Sequence, residues 1–273
     1  MTALRVAAGQ FSPTADKNTN LSAISALVAQ AAGDGARVVL LPEYSSYFDP
    51  ELSTAFVERA EPLTGRFVTV LEHLAREHGL WLVAGMNERI PGSARFRNTI
   101  VAVDPAGTVQ SLYRKIHLYD AFGHAESDRE EPGNPAQVPV FEIDGVRVGV
   151  QTCYDLRFPE ISRRLVDAGA ELLLVPSQWV PGPMKEEHWA TLLAARAIEN
   201  TAYVLAAGQT APNGCGRSRL LGPMGELLAG AGTRPGLCSG PVDSAEVTRA
   251  RELNPALALR RLQVVPGAPS ACR

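Results

Sequence analysis

A chain of 273 residues, 45% of them apolar, is long enough to bury a large core within one α/β domain. Its formal net charge of −3 is spread over interspersed acids and bases, without a long run of one sign or a basic stripe interleaved with aromatics, which argues against nucleic acid and acidic membrane as partners. The opening stretch MTALRVAAGQFSP lacks the basic start, apolar core and cleavage site of a signal peptide, and no later apolar run approaches the roughly 18 residues of a membrane span, so a cytoplasmic, membrane-free protein is expected.

Short apolar runs of β type alternate with amphipathic helical patterns, the mark of an α/β fold. LRVAAGQF reads as a strand, and NLSAISALVAQAAGDGA as a helix with Asn18 or Asn20 near its cap. RVVLLPE is a buried strand that stops at Pro42-Glu43. ELSTAFVERA and RFVTVLEHLAREHG read as helices, and LWLVAGMNE as the strand that follows. NTIVAVD and TVQSLYRK, joined by Pro105-Ala106-Gly107, read as a hairpin, so the sheet is mixed and not purely parallel. Residues 116–137 form a long polar insertion with no clear period, and loops of that length in a compact domain tend to be functional or mobile.

Beyond it come the strand VRVGVQ, the helix FPEISRRLVDAG with Pro159 in its first turn, and the strand AELLLVPS. The helix KEEHWATLLAARAIENT, the strand AYVLAAGQ, a hairpin around LLGPMGELLA and a final helix DSAEVTRARELN complete the pattern. No internal repeat or interdomain linker interrupts it. Residues 1–264 are expected to form a single domain, and the proline-rich tail 265–273 to be disordered unless it packs on a partner.

Three apolar runs end in a reactive side chain: Glu43 after RVVLLP, Lys115 after SLYR and Cys153 after VRVGVQT. Ligands of α/β sheets bind in the crevice outside strand ends, where distant parts of the chain meet. A thiol near its reference pKa of about 8.5 is mostly protonated at neutral pH and needs a base to become a nucleophile. Glu43 can be that base, and the positive charge of Lys115 is expected to lower the thiol's pKa. If the thiolate attacks an amide, Lys115 and the backbone N–H of Tyr154 can meet the charge that develops on the carbonyl oxygen. Glu43 can then protonate the departing amine, leaving a thioester, and later activate the water that cleaves it.

Each residue also has a structural reading. A buried cysteine often serves as a small hydrophobe, a glutamate caps turns, and a lysine lies on the surface. Their joint placement after three apolar runs is what favours chemistry. The four cysteines, Cys153, Cys215, Cys238 and Cys272, show no C-x-x-C spacing, so neither a zinc site nor a disulfide framework is indicated.

The segments LLPE, YRKIHL and CYDLRFPE, in that order, resemble the three signatures of the nitrilase superfamily of carbon–nitrogen hydrolases, and the likeness extends through LLLVPSQW, HWATLLAARAIENTAYV and GPMGELLA. The resemblance implies a four-layer α-β-β-α sandwich with mixed sheets, a homodimer or higher homo-oligomer, and no metal or cofactor. It also implies a second glutamate in the loop after the lysine signature. Glu126 in GHAESDREEPG matches that position, with the role of holding Lys115; the alternative is that Glu126, Asp128, Glu130 or Glu131 simply solvates the loop.

Other residues carry smaller expectations. Trp179, after LLLVPSQ, is placed to wall a pocket beside the thiol, with core packing as the competing reading, and Tyr47 beyond Glu43 is a similar case. Arg157 and Glu160 read as a structural ion pair, and His188 as a buried hydrogen-bonding residue next to Trp189. Two departures from the family pattern bear on substrate: WVPGPMKEEHW carries extra charged residues, and GCGRSRLLGPMGE holds Arg217 and Arg219. An arginine near the pocket could pair a substrate carboxylate bidentately; exposure to solvent is the alternative.

The function implied is cleavage of a non-peptide carbon–nitrogen bond in a small carboxylated amide, through a cysteine thioester and with release of ammonia, as in the branches that act on deaminated glutathione or on ω-amides. Glu43, Lys115, Cys153 and Glu126 are the catalytic candidates, and Tyr154, Trp179 and Tyr47 the substrate-binding ones. An N-carbamoyl substrate is a second hydrolase reading, and a nitrile a weaker one. A non-catalytic binding protein, or a redox sensor at Cys153, is the reading of another class.

Overall fold

The computed structural model describes residues 3–265. Nearly all of the tail expected to be disordered, and Cys272 with it, lies outside the described residues. In chain order, strand β1 (Leu4–Gln10) leads to helix α1 (Lys17–Gly33), then to β2 (Val38–Leu40), α2 (Ala55–Arg59), α3 (Arg66–His78), β3 (Trp81–Arg89), β4 (Phe96–Val103) and β5 (Val109–Arg114). After the long loop come β6 (Val140–Ile143), β7 (Val146–Val150), α4 (Pro159–Asp167), β8 (Leu172–Ser177), α5 (Lys185–Asn200), β9 (Tyr203–Gly208), β10 (Arg219–Leu221), β11 (Leu227–Gly230), β12 (Gly236–Val242) and α6 (Ser244–Leu253).

The cap of α1 is Asp16, not Asn18 or Asn20. Its carboxylate accepts from the backbone N–H groups of Asn18 and Thr19, the placement that satisfies the orphan donors of a first turn. Asn20 is instead buried and clips the preceding loop, accepting from the Thr14 amide and donating to the Thr14 carbonyl, both at 2.8 Å. Strands β6 and β12 carry no clear signal in the sequence. Both lie at sheet edges, where pairing comes from one neighbour only, and Pro241 within β12 is tolerated there because an edge strand need not donate on both sides.

The strands form two six-stranded sheets, ordered β12-β1-β2-β3-β4-β5 and β11-β10-β9-β8-β7-β6. In each, three central strands are parallel and the flanking ones antiparallel, the mixed arrangement that the hairpin predicts. Because successive side chains point to opposite faces, apolar strands need cover on both. Val6, Val38, Leu40 and Ile100 of the first sheet meet Val148, Leu172, Leu174 and Leu205 of the second in an inner core. On the outer faces, Ala7, Val39 and Leu82 pack on α1 and α3, while Leu173, Val175 and Val204 pack on α4 and α5. The result is the four-layer α-β-β-α sandwich.

Since β5 reverses direction twice from β3, it runs with β2 and β3, and their C-terminal ends share one edge of the sheet. β3 passes very close to the turn that follows β2. A Cβ added at Gly85 would stand 2.7 Å from the Cα of Glu43 and from the amide nitrogen of Tyr44, and 2.9 Å from the Pro42 carbonyl oxygen. All three are backbone atoms that cannot swing aside. Gly85→Ala is therefore expected to destabilise the protein by about 1–3 kcal/mol, the usual cost of overpacking. A denaturant midpoint equal to wild type would show that the turn yields.

Candidate active site

Glu43, Lys115 and Cys153 each stand just past a strand end, and the two sheets bring them together in the interior. Glu43 and Lys115 are essentially without solvent contact, and Cys153 is buried. The Lys115 ammonium donates to Glu43 Oε1 at 3.0 Å and to both oxygens of Glu126, at 2.9 and 2.7 Å. Glu43 Oε1 also accepts from Asn98 Nδ2 at 2.7 Å, and its Oε2 from the Gln178 amide at 2.6 Å. Gln209 holds the same turn by donating to the Glu43 carbonyl at 2.8 Å. Glu126 lies in a short 3₁₀ turn of the long loop, and its carboxylate accepts from the Tyr119 amide at 2.7 Å.

Cys153 opens a 3₁₀ turn at a φ of +48°, in the left-handed region that non-glycine residues rarely adopt. Asp155 secures that turn. It accepts from the Thr152 amide at 3.0 Å in a capping box, and from the Tyr113 hydroxyl at 2.5 Å and the His117 amide at 3.0 Å. Tyr113 and His117 flank Lys115, so one carboxylate couples the thiol's turn to the lysine's strand end. The Cys153 Sγ contacts the Gln178 carbonyl at 3.5 Å.

Burial penalises the charge of Lys115, yet the carboxylates of Glu126 and Glu43 outweigh that and hold its pKa well above the ordinary lysine value. Burial also pushes the Cys153 thiol well above its ordinary value, and the Glu43 charge pushes further in the same direction. Lys115 pulls the thiol's pKa down, as expected, but burial and the Glu43 charge outweigh it. Both effects favour the protonated thiol in the resting site. Glu130, fully buried and hydrogen-bonded to the Tyr44 hydroxyl, is raised well above the carboxylate range by burial and by the Glu126 charge, which favours its protonated form. That limits the negative charge crowded around one ammonium.

The thiol faces a space of about 10 Å³, enough for roughly one water, lined by Tyr119, Glu126, Tyr154, Arg157, Trp179 and Lys185 among others. It adjoins a cleft of about 500 Å³ with which it shares Tyr119, Glu126, Gln178 and Val180. Trp179 satisfies both of its readings, since it walls the thiol's space and also packs 5.3 Å from the Trp189 ring. Tyr47 lines neither space; its ring meets Phe56 edge-on at 5.3 Å, in an aromatic cluster.

Arg157 does not pair with the exposed Glu160. It lies over the Trp179 ring at 5.1 Å and contacts His188 Nδ1 at 3.3 Å. Arg217 is drawn away to Glu186 at 2.6 Å, and neither it nor Arg219 lines the thiol's space. Asn98, Gln178 and Tyr119 join the site without any signal in the sequence that marks them for it. Lys185 leaves a trace there, as one of the extra charges in WVPGPMKEEHW. Among the described residues, no cluster of three or more His, Cys, Asp and Glu side chains is arranged to hold a metal ion, and no helix is long and apolar enough to cross a membrane.

The sequence profile of the carbon–nitrogen hydrolases matches residues 5–252. The chain belongs to the carbon–nitrogen hydrolase family. Among its relatives is a deaminated glutathione amidase of Escherichia coli O157:H7, 38% identical over 257 residues, with 94% of this chain and 97% of that one covered. The C. elegans NitFhit protein superposes with a TM-score of 0.88 at 30% identity, over 96% of this chain but 66% of its own. An amidase of Nesterenkonia sp. AN1 superposes with a TM-score of 0.78 at 28% identity, covering 95% of this chain and 94% of that one. A variant of that amidase carries the acetamide moiety of fluoroacetamide added covalently at its active-site cysteine.

For this carbon–nitrogen hydrolase, the protonated resting thiol has a measurable consequence. The rate of Cys153 alkylation by a small reagent should keep rising with pH beyond about 10, where an ordinary thiol with a pKa of about 8.5 has levelled off. Glu43→Gln removes a charge that raises the thiol's pKa, so it should move the profile to lower pH. A wild-type plateau below about pH 8 would show a pre-formed thiolate instead.

Proposed function

We propose that the protein is an amidase that cleaves a small carboxylated amide through a thioester on Cys153, releasing ammonia from a substrate of the ω-amide type or an amine from one of the deaminated glutathione type. The observation that carries this reading is the buried set of Glu43, Lys115 and Cys153, with a thiol that stays neutral until a base relieves it. Glu43 takes the thiol proton as the sulfur attacks the amide carbon. The charge on the carbonyl oxygen meets the Lys115 ammonium and the Tyr154 N–H. The carbon–nitrogen bond breaks as Glu43 returns the proton to nitrogen, and the ammonia or amine leaves. Water, deprotonated by Glu43, then attacks the thioester; the carbon–sulfur bond breaks, the acid is released and the thiol regains its proton.

Glu126 acts through Lys115, holding the ammonium in place with both oxygens. Relatives named as amidases support an amide over an N-carbamoyl substrate. The redox-sensor reading finds little support: Cys153, Cys215 and Cys238 are free, and burial pushes the Cys215 thiol up to about 12 and that of Cys238 to about 11, which makes them poor resolving partners.

Ammonia release from a panel of carboxylated amides tests the proposal. Cys153→Ala should fall at least about 10³-fold, as losses of nucleophiles do, and added hydroxylamine should intercept the wild-type thioester as a hydroxamate. Undiminished ammonia release by Cys153→Ala would overturn the mechanism. The homodimer belongs to the same proposal. The exposed Ile198 lies against the β10–β11 turn, near the exposed Met224, Leu227 and Leu228, an apolar patch suited to a second copy. Light scattering should give twice the chain mass, and Ile198→Asp should shift it toward the monomer; a monomeric wild type would remove this part.

A further inference from the structure

Resting on the amidase reading, we infer that Lys185 and Arg157 form an anion-binding wall beside Cys153, and that it selects substrates with a carboxylate on the acyl side of the scissile amide. Both side chains line the thiol's space. Lys185 is more than nine-tenths buried, yet among the described residues neither it nor Arg157 has a carboxylate within ion-pairing distance. A buried ammonium without an anion is costly, and proteins seldom keep one idle.

The present partners of Lys185 are weak substitutes. Its ammonium donates to the Tyr119 hydroxyl at 2.8 Å and otherwise faces aromatic rings, Phe122 at 4.2 Å, Tyr119 at 5.0 Å and Trp179 at 6.0 Å. Arg157 also lies over the Trp179 ring, with its Nε–H buried and unpartnered. One cation therefore has donors to spare and the other a buried orphan donor, both bordering the space in front of the sulfur. Burial and the charge of Arg157 lower the pKa of Lys185. A bound carboxylate would relieve both.

The chemistry says on which side of the amide that carboxylate must lie. When ammonia is the leaving group, everything else in the substrate is acyl, so a group held by this wall stays held from the first attack until the thioester is hydrolysed. The same contact therefore positions both half-reactions. The free space of about 10 Å³ is too small for amide and carboxylate together, so the substrate must also use the adjoining cleft, and the carboxylate displaces the ammonium from its aromatic resting place.

The test compares monoamides of dicarboxylic acids, from malonic to adipic, with neutral twins in which an isopropyl group replaces the carboxylate. Wild type should prefer the charged member of the best pair. In Lys185→Met, confirmed as folded by its melting curve, the ratio of kcat/KM for charged over neutral twin should drop at least about 10-fold, the effect of losing one charge-assisted hydrogen bond, and the loss should fall mainly on KM. Lys185→Arg should restore most of the ratio, and Arg157→Gln should lower it as well. No preference in wild type, or an unchanged ratio in Lys185→Met, would overturn the wall while leaving the amidase reading intact. Calorimetry of the same amides with Cys153→Ala separates the converse case. Binding that requires both the carboxylate and Lys185, in a protein whose wild type releases no ammonia, would uphold the wall and end the amidase reading.

Discussion

A lysine ammonium sealed inside the protein is the constraint around which this site is built. Removing Lys115 from water would be prohibitive without anions within hydrogen-bonding reach, and Glu43 and Glu126 supply them from the turn after β2 and from the long loop. Those carboxylates are themselves buried, so each needs donors: Asn98 and the Gln178 amide for Glu43, the Tyr119 amide for Glu126. Gln178 follows β8, in the second sheet. The charged cluster thus spans both sheets, and it holds its geometry only as long as the inner core keeps them packed. Desolvation is met during folding, before any substrate arrives, which is the preorganisation that electrostatic catalysis needs.

The same burial favours a neutral Cys153 thiol. A thiolate beside the Glu43 carboxylate would set two negative charges against one ammonium already committed to two glutamates. The site resolves this by keeping the proton on sulfur, and in the same way favours the protonated form of Glu130. A neutral thiol is a poor target for adventitious oxidants, because oxidation follows thiolate character and exposure. In the proposed mechanism, reactivity then depends on proton transfer to Glu43 at the moment a carbonyl is in place. The left-handed backbone at Cys153 is held by the capping box of Asp155.

Much of this is legible in the sequence because strand ends are local signals. RVVLLP and VRVGVQT each announce a buried strand and SLYR a strand at the sheet edge, and the polar residue that follows each stands at a strand end facing the crevice. Glu126 requires the family resemblance, since four acids in GHAESDREEPG are equivalent to any local argument and only the fold distinguishes the one that reaches Lys115. The edge strand β12 escapes because it finds its partner β1 at the opposite end of the chain. Tyr47 is misplaced because proximity in sequence to Glu43 says nothing about which way the left-handed turn at Tyr44 sends the chain. The choice among arginines fails for a related reason: Arg217 has Glu186 within reach, a partner 31 positions earlier in the chain that no local pattern reveals.

The cations that do reach the thiol come from segments that read locally as helix starts. Arg157 sits in the turn opened by Cys153, and Lys185 is the first residue of α5, where a lysine opposes the helix dipole instead of complementing it. Its position is therefore not explained by helix stability. Nor is it a surface charge, since its side chain is buried, with the ammonium over Tyr119 and Phe122. A residue that is unfavourable for its helix, costly to bury and lacking a counter-charge makes physical sense where the counter-charge arrives with a ligand. The interior of the site then divides by sign, with the Glu43, Lys115 and Glu126 cluster balanced within itself on one side of the sulfur and an unbalanced positive wall on the other.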